Sequence, residues 1–258
     1  MLRVVEDINQ YKELFARKFQ IVLADNPKFR SFIYEAFIYG TAYVVGGYLR
    51  DILMHKESRD IDIILTIPNN KIIEILKNSH LEFNINRLSG IKIKLNKIDA
   101  DIWSIDNNWA FANNLVKRND DYILKNIANG SFYNYDSLVL NVHSRNFNFN
   151  NYNDFVKTKT LDIIQKLDSY KLLNPTIEAN ILRAFYLRKV FNIDYSNNCN
   201  NYLISRIGFL KDKYGSTVDR LLELKKKYVK YDSIINKKDI IDTIDYCYNK
   251  PKQTILKL

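Results

Sequence analysis

The chain has 258 residues, of which 47% are hydrophobic, and a formal net charge of +10 at pH 7. This length and apolar content predict a globular protein with room for two small domains, and the basic charge favours a nucleic acid as partner. No stretch of about 18 uncharged apolar residues is present, which argues against a membrane-spanning helix and predicts a cytoplasmic protein without a membrane partner.

The first part of the chain combines helical and strand patterns. Residues 1–39 predict two amphipathic helices, with Asn26 and Pro27 as N-cap and first-turn residue of the second helix. Strands then alternate with helices up to about residue 145, which predicts a mixed sheet flanked by helices. We predict strands at 42–45, 61–65, 98–103 and 138–142, a hairpin around Gly90, and helices at 70–77, 109–116 and 122–127.

The second part of the chain has a helical pattern from Asn153 onward. Breaks in this pattern are predicted at 174–175, at 197–201, at Gly215 and near Asp232. We therefore predict an α+β protein in which a mixed-sheet domain, 1–150, is followed by an all-helical domain, 151–258.

Three further features suggest packing or solvation and no chemistry of their own. The basic run at 225–230 is interpreted as one solvated helix face, although an RNA-binding patch is the alternative. Cys199 and Cys247 are far apart, which indicates buried thiols in a reducing compartment and not a disulfide framework. The chain has three histidines, His55, His80 and His143. Their spacing argues against a zinc site.

The segment 44–65, VVGGYLRDILMHKESRDIDIIL, is the most informative part of the chain. Gly46 and Gly47 interrupt an apolar run, and apolar residues at helical spacing follow, so a helix begins directly after the glycines. Residues without a Cβ let the backbone approach a ligand closely, and the N–H groups of a first helical turn favour an anion. Arg50 adds a charged fork suited to phosphate oxygens. We therefore predict a phosphate site at this turn.

A pair of aspartates follows at the start of the next predicted strand. Strand alternation places Asp60 and Asp62 on the same face of that strand. Two neighbouring carboxylates repel each other unless a divalent cation neutralises them. A glycine turn followed by a hairpin with exposed aspartates would explain the glycines, but not two same-face carboxylates on a strand rich in isoleucine. The pattern therefore indicates a metal site next to the phosphate site.

The order and spacing of these residues resemble the head-domain motif of the tRNA nucleotidyltransferase and poly(A) polymerase family, within the polymerase-beta-like nucleotidyltransferase superfamily. The residues that carry the resemblance are Gly46, Gly47, Arg50, Asp51, Asp60 and Asp62. The resemblance implies a nucleotidyltransferase-type mixed sheet and a nucleotide site formed by the glycine turn with Arg50 and Asp51. It also implies that the two later aspartates bind catalytic Mg²⁺.

Such sites need a third carboxylate from a later strand, and the segment 94–103, KLNKIDADIW, offers two candidates. Asp99 and Asp101 lie on the same face of one predicted strand. We favour Asp101 because apolar residues follow it as in a buried strand, whereas Asp99 is also compatible with a strand-end acid in water. The resemblance then implies two Mg²⁺ ions. One, held by Asp60, Asp62 and Asp101, would activate the acceptor hydroxyl, and the other would stabilise the pyrophosphate leaving group.

The helical part carries a second, weaker resemblance. The segment 175–193, PTIEANILRAFYLRKVFNI, is similar to the neck helix of the same family, and Arg183 matches a family arginine there, which implies a nucleotide contact. Asp136 lies near the position of a family asparagine. The family's Arg-Arg-Asp ribose motif is absent, and Glu178 is the one plausible remnant of its Glu-Asp-x-x-Arg motif for choosing CTP and ATP. These departures argue against a housekeeping CCA-adding enzyme.

The sequence as a whole predicts an Mg²⁺-dependent enzyme that transfers a nucleoside monophosphate from an NTP such as ATP to a hydroxyl. The net charge and the resemblance make RNA, and first of all a tRNA 3′ end, the preferred acceptor. The alternative is a transferase that modifies a small molecule such as an antibiotic, or a protein side chain, and a toxin or defence role stays open. The intact pair of Asp60 and Asp62 argues against a catalytically inactive binding module.

Overall fold

The computed structural model describes residues 2–167, 171 and 176–250. The chain divides into two compact units between Lys157 and Thr158. The N-terminal unit contains a mixed sheet flanked by helices and the C-terminal unit is helical, which confirms the predicted fold class. Within the described residues, no helix has both the length and the apolarity that crossing a bilayer requires. The predicted break at 174–175 lies outside the described residues.

Two helices precede the sheet, as the sequence predicted. They are α1 (Ile8–Asp25) and α2 (Pro27–Tyr39). Pro27 occupies the first turn of α2, where its missing N–H costs no hydrogen bond. Asn26 occupies the N-cap position of α2 as predicted, but its side chain makes no capping hydrogen bond. Its amide donates to the Val22 carbonyl at 2.8 Å and accepts a hydrogen bond from the Asn96 N–H at 2.8 Å.

Seven strands form one sheet. They are β1 (Ala42–Val45), β2 (Asp60–Leu65), β3 (Phe83–Ile85), β4 (Ile91–Lys94), β5 (Asp99–Ser104), β6 (Val139–Asn141) and β7 (Phe147–Asn148). Their spatial order is β3-β4-β5-β2-β1-β6-β7, and only the pairing of β2 with β5 is parallel among these strands. The helices that follow β1 in this unit are α3 (Gly47–Leu53), α4 (Asn69–Asn78), α5 (Trp109–Ala112), α6 (Ile123–Asn129) and α7 (Asn150–Thr158).

The two faces of the sheet differ in character. On one face, side chains of the central strands are completely buried, among them Ile61, Ile63 and Ile102. Helices α2, α3 and α4 contact the central strands β1, β2 and β5. Burial of these branched apolar side chains supplies the main hydrophobic stabilisation of the unit.

The opposite face is only partly covered. Ile64 of β2 packs there with Tyr43 of β1 and with Ile123 and Ile127 of α6. At the beginning of β2 and β5, by contrast, the side chains on this face are half-buried. The sheet therefore keeps one end of this face accessible, and that end carries the predicted aspartates.

One helix of the N-terminal unit is shorter than predicted. The pattern at 109–116 predicted two turns, but α5 is a single turn that ends after Ala112. The chain leaves the helix because Asn114 adopts a left-handed conformation with φ +55°, which asparagine tolerates better than most residues. The Leu115 N–H donates to the Ala110 carbonyl at 2.9 Å and closes the turn.

The C-terminal unit is built mainly from helices. Those in the described residues are α8 (Ile177–Phe191), α9 (Asn197–Tyr214), α10 (Thr217–Lys225), α11 (Val229–Asp232) and α12 (Lys237–Asn249). Two short strands, β8 (Thr160–Leu161) and β9 (Asp194–Tyr195), pair in parallel. The prediction of an all-helical domain missed this pair, because a two-residue strand is too short to show a periodic pattern.

The basic run at 225–230 does not lie on one helix. α10 ends at Lys225 and α11 begins at Val229, so a turn separates the first and last lysines of the run. Val229, the apolar residue at the beginning of α11, is 78% exposed. The interpretation of this run as one helix face is therefore wrong.

The beginning of α9 corrects the predicted position of one break in the helical pattern. The predicted break at 197–201 is wrong, because the Ser196 hydroxyl accepts a hydrogen bond from the Cys199 N–H at 3.0 Å and caps a helix that starts there.

Cys199 and Cys247 are both buried free thiols, as predicted. Burial raises the pKa of both thiols, that of Cys247 to about 12, so they are unreactive at neutral pH.

Candidate active site

The glycine turn joins β1 to α3. Gly46 has φ +64° and ψ −115°, a conformation that is strained for any residue with a Cβ. Its N–H donates to the Leu138 carbonyl at 2.9 Å and so fastens the turn to the segment before β6. A Cβ at Gly47 would lie 3.6 Å from Nη2 of Arg50, an ordinary contact. The fold therefore requires the first glycine, and the second is not required by space or backbone conformation.

Arg50, predicted to bind phosphate, is buried and has partners within the protein. Its Nη1 donates to Oδ1 of Asp136 at 3.1 Å, and its Cζ lies 4.1 Å from the centre of the Tyr135 ring. Both partners belong to the 3₁₀ turn Asn134–Asp136, which precedes β6. Arg50 thus connects α3 to that turn. Its contact with a triphosphate stays a prediction.

Asp51 fastens the loop between α3 and β2. Its Oδ2 accepts a hydrogen bond from the Ser58 hydroxyl at 3.0 Å, and its carbonyl accepts one from the Lys56 N–H at 2.8 Å. His55 in the same loop is exposed and has a left-handed φ of +52°. Asp51 therefore positions the loop that leads into Asp60, and its predicted contact with the nucleotide stays a prediction.

The parallel pairing of β2 with β5 brings four aspartates together. The strands are in register, with Asp60 beside Asp99 and Asp62 beside Asp101. Along both strands these aspartates alternate with buried residues, so all four lie on the same face. On the other side of β2, Val45 at the end of β1 pairs with Asp62, so the glycine turn follows beside the carboxylates. We call these four aspartates the carboxylate row.

Lys92 of β4 lies at the edge of the carboxylate row. It pairs with Asp101 in the strand register, and its Nζ is 3.1 Å from Oδ2 of Asp99. The hydrogen bond to Asp99 raises the pKa of the Lys92 ammonium. Burial raises the pKa of the Asp101 carboxyl; Lys92 lowers it, and the charges of Asp60 and Asp99 raise it further. The row therefore concentrates negative charge that Lys92 only partly neutralises.

The donor set of the row suits a hard cation. In the part of the chain that the structure describes, no group of three or more His, Cys, Asp and Glu side chains is already arranged to hold a metal ion. Four carboxylates on one face nevertheless supply the oxygen ligands that Mg²⁺ prefers. Lys92 engages Asp99, and the candidate ligands in the row are Asp60, Asp62 and Asp101. This is the set chosen from the sequence, and it stays a prediction.

Arg183 and Glu178, the residues singled out in the neck-like segment, both belong to α8. Glu178 Oε1 accepts hydrogen bonds from Nε and Nη2 of Arg220, at 3.1 and 2.9 Å. Glu178 is therefore held in an internal ion pair of the C-terminal unit. Arg183 is half-buried, and its predicted nucleotide contact stays a prediction.

Sequence reasoning missed two contributors to this region. Lys92 could have been found, because the alternation of isoleucine and lysine in β4 places Lys92 on the polar face of the strand next to β5. The ion pair of Arg50 with Asp136 could not, because the two residues are 86 positions apart and no local pattern links them.

The sheet order, the parallel β2–β5 pair and the aspartates that it aligns define a head domain of the nucleotidyltransferase class. Residues 42–125 match a family model described as the poly A polymerase head domain. Residues 42–125 are therefore similar to the head domain of the tRNA nucleotidyltransferase and poly(A) polymerase family, as the motif predicted.

Solved structures of CCA-adding enzymes share the fold. The Thermotoga maritima CCA-adding enzyme complexed with tRNA is 18% identical, with a TM-score of 0.58 over 84% of this chain and 48% of that chain. A CCA-adding enzyme with ATP is 16% identical, with a TM-score of 0.60 over 96% of this chain and 55% of that one. This chain spans about half the length of these proteins. A comparison with curated proteins gave no match.

Proposed function

We propose that this chain transfers a nucleoside monophosphate from an NTP to a hydroxyl at the end of an RNA, with release of pyrophosphate. The observation that carries the proposal is the register of β2 and β5, which aligns four carboxylates on one face beside the glycine turn. Such a site combines oxygen ligands for a divalent cation with a backbone that phosphate can approach closely. The protein family whose head-domain model matches residues 42–125 supports the same chemistry.

Mg²⁺ would be held by Asp60, Asp62 and Asp101, and its charge would offset the repulsion between these carboxylates. Bound there, it would lower the pKa of the acceptor hydroxyl and stabilise the charge of the leaving pyrophosphate. The chain's own residues provide the rest of the site. Arg50 holds α3 and its glycine turn in place through its ion pair, and Lys92 offers a positive charge beside the carboxylate row.

The distribution of charge along the chain supports RNA as the acceptor. Residues 158–258 contain 19 Lys and Arg against 11 Asp and Glu, a net charge of +8, whereas residues 1–157 contain 20 against 18, a net charge of +2. A basic domain attracts the phosphates of RNA and repels a cationic substrate such as an aminoglycoside. The charge asymmetry therefore favours RNA over the small-molecule alternative.

The end of α9 carries exposed aromatic and basic side chains next to one another. Phe209 and Tyr214 are 41% and 42% exposed. Cζ of Arg206 lies 5.7 Å from the centre of the Phe209 ring, and Nζ of Lys213 lies 5.3 Å from the centre of the Tyr214 ring. Exposed rings stack on bases while neighbouring cations contact phosphates. This face of the C-terminal unit supports RNA binding.

The ligands of the similar solved structures suggest which donor and which acceptor the proposed transfer uses. They include tRNA and ATP, and we extend both classes to this chain, with the NTP as donor and a tRNA 3′ end as the leading acceptor. The missing Arg-Arg-Asp and Glu-Asp-x-x-Arg motifs lead us to propose a reaction other than housekeeping CCA addition. A cytoplasmic location, where NTPs and tRNA meet, belongs to the same proposal.

A transfer assay with the purified chain, Mg²⁺ and α-labelled NTPs tests this function. Total RNA, an aminoglycoside mixture and bulk protein are offered as separate acceptors. We expect label at the 3′ end of an RNA species and in neither of the other fractions. Label in the aminoglycoside or protein fraction without label in RNA would overturn the RNA acceptor, and label in no fraction would overturn the transferase.

A further inference from the structure

The two tryptophans of the chain, Trp103 and Trp109, line the same cavity, which has a volume of about 340 Å³. Small-ligand sites have volumes of roughly 300–1,000 Å³. The other residues of the lining are Leu88, Ser89, Asn107, Asn108, Ala112 and Asn113. Two indoles and three side-chain amides suit a flat ligand with polar edges, which is the chemistry of a nucleobase.

The cavity lies next to the carboxylate row. Trp103 follows Asp101 by two residues on β5, so both side chains lie on the same face of the sheet, with Cα atoms about 6.6 Å apart. β5 adjoins β2 on the side opposite to β1. The glycine turn at the end of β1 and the tryptophan cavity therefore flank the row from opposite sides.

Contacts within the N-terminal unit hold both rings in place. A Cβ at Gly90 would come within 2.4 Å of Cη2 of Trp103, so this indole lies directly against the glycine of the β3–β4 hairpin. Trp103 also packs against the apolar cluster around Ile64. Trp109 packs edge to face with Phe132, at 6.2 Å between ring centres. Rings that are already ordered lose little conformational entropy when a base stacks on them.

We propose that the tryptophan cavity binds the 3′-terminal base of the acceptor strand. In a metal-assisted displacement, the attacking and leaving oxygens lie in line on opposite sides of the phosphorus. The glycine turn is assigned to the triphosphate, which contains the leaving group, so the acceptor approaches from the β5 side. Tryptophan stacks on every base. The Asn107 amide of the lining makes no side-chain hydrogen bond within the described residues, so it can donate to and accept from the edge of a base. This inference rests on the proposed transfer reaction. It adds the site at which the 3′ end of the acceptor strand binds.

Tryptophan fluorescence of the full chain reports on this cavity alone, because both tryptophans line it. The probe is a short single-stranded RNA ending in adenosine, and its matched control is the same RNA with an abasic 3′-terminal ribose. We expect the first to quench the fluorescence, the abasic RNA to quench much less, and ATP alone to leave the signal unchanged. Quenching by ATP alone would assign the cavity to the donor base and overturn the proposal. Equal signals from the two RNAs would also overturn it.

Substitution of Trp109 tests the stacking itself. Trp109→Leu keeps apolar volume at the start of α5, and Trp109→Phe keeps a ring. Loss of a stacked base typically weakens binding by about 5- to 150-fold, so we expect this increase in the dissociation constant of the adenosine-ended RNA for Trp109→Leu and a much smaller one for Trp109→Phe. Tyr122→Leu removes a ring that is 61% exposed and outside the cavity, and serves as control. Equal weakening by Trp109→Leu and Tyr122→Leu, or by neither, would overturn the proposal.

The two proposals fail in different ways. Transfer of label to RNA, with no difference in quenching between the two RNAs, would retain the proposed function and overturn the cavity assignment. Quenching that depends on the terminal base, without transfer to any acceptor, would support base binding in the cavity and overturn the transferase.

Discussion

Asp99 and Asp101 share a strand and a face, but their surroundings differ. Asp99 begins β5 and forms an ion pair with Lys92 at 3.1 Å. Asp101 is followed by the buried Ile102, and its own burial raises the pKa of its carboxyl. An acid whose charge is costly in the free protein gains most from a cation, which is why we assign Asp101 to the metal.

The first prediction follows from this difference. Asp101→Asn should abolish transfer, and Asp99→Asn should only impair it, because removal of a ligand charge weakens the metal site more than removal of the partner of Lys92. Without metal, Asp101→Asn should melt at the same temperature as the wild type or higher, since it relieves carboxylate repulsion. Transfer rates and thermal melts with EDTA check both parts. The opposite ranking of the two variants would move the third ligand to Asp99.

The second prediction concerns Lys92, whose ammonium group lies beside the carboxylate row. Lys92→Gln should lower the melting temperature of the metal-free protein and enlarge the rise in melting temperature on addition of Mg²⁺, because the carboxylates then depend more on the ion. Lys77→Gln, which removes an exposed lysine of α4 outside the carboxylate row, is the control. Melting curves at low salt with and without Mg²⁺ measure the effect. Equal Mg²⁺ shifts in both variants would contradict it.

At the scale of elements, the two glycines of the turn between β1 and α3 have different roles. Gly46→Ala should destabilise the protein by about 1–3 kcal/mol, because φ +64° is strained for alanine. Gly47→Ala should leave stability close to that of the wild type, since its Cβ meets ordinary contacts, but it should weaken NTP binding if phosphate approaches this backbone. Chemical denaturation and NTP titration separate the two effects. Unchanged NTP affinity in the Gly47→Ala variant would place the triphosphate elsewhere.

Asp162 connects β8 to the first turn of α9 in the C-terminal unit. Its carboxylate accepts hydrogen bonds from the Ser196 hydroxyl, which also caps α9, and from the Asn198 amide at 3.2 Å. Burial alone would raise the pKa of the Asp162 carboxyl, but the hydrogen bonds from Lys166 and Ser196 outweigh it and lower the pKa below 3.8. The charged form of Asp162 is therefore the stabilising one.

The fourth prediction is a dependence of stability on pH. A lowered pKa contributes stability that is present above the unfolded value of 3.8 and lost as pH falls through the folded value. Asp162→Asn should therefore cost about 1.5–3 kcal/mol at pH 7, and the cost should shrink below pH 4 as the wild type loses its charge. Asp212→Asn, on the exposed side of α9, is the control. A cost for Asp162→Asn that is independent of pH would contradict the role of the charge.

At the scale of the whole molecule, most of the head domain could be predicted from its sequence because its strands alternate or are uniformly apolar. The predicted strand 42–45 coincides with β1, and the predicted strand 61–65 differs from β2 by one residue. The same-face arrangement of Asp60 with Asp62 and of Asp99 with Asp101 also followed from alternation alone.

What the sequence did not reveal depends on contacts between distant residues or on single backbone conformations. The side-by-side register of β2 and β5 requires the tertiary fold, and so does the burial of Arg50 against Asp136. The early end of α5 depends on one left-handed asparagine, Asn114, within an otherwise helical pattern. Local periodicity carries no information about either kind of feature.

The measurement that tests the central claim most directly follows the α- and γ-phosphates of one NTP in a single reaction with RNA. Our account predicts α-label at the RNA 3′ end and γ-label in pyrophosphate, both dependent on Mg²⁺. It also predicts that both signals are absent in Asp62→Asn, whose melting curve shows that it is folded. Transfer of the γ-label to the acceptor, or unchanged incorporation of the α-label by Asp62→Asn, would contradict nucleotidyl transfer at the carboxylate row.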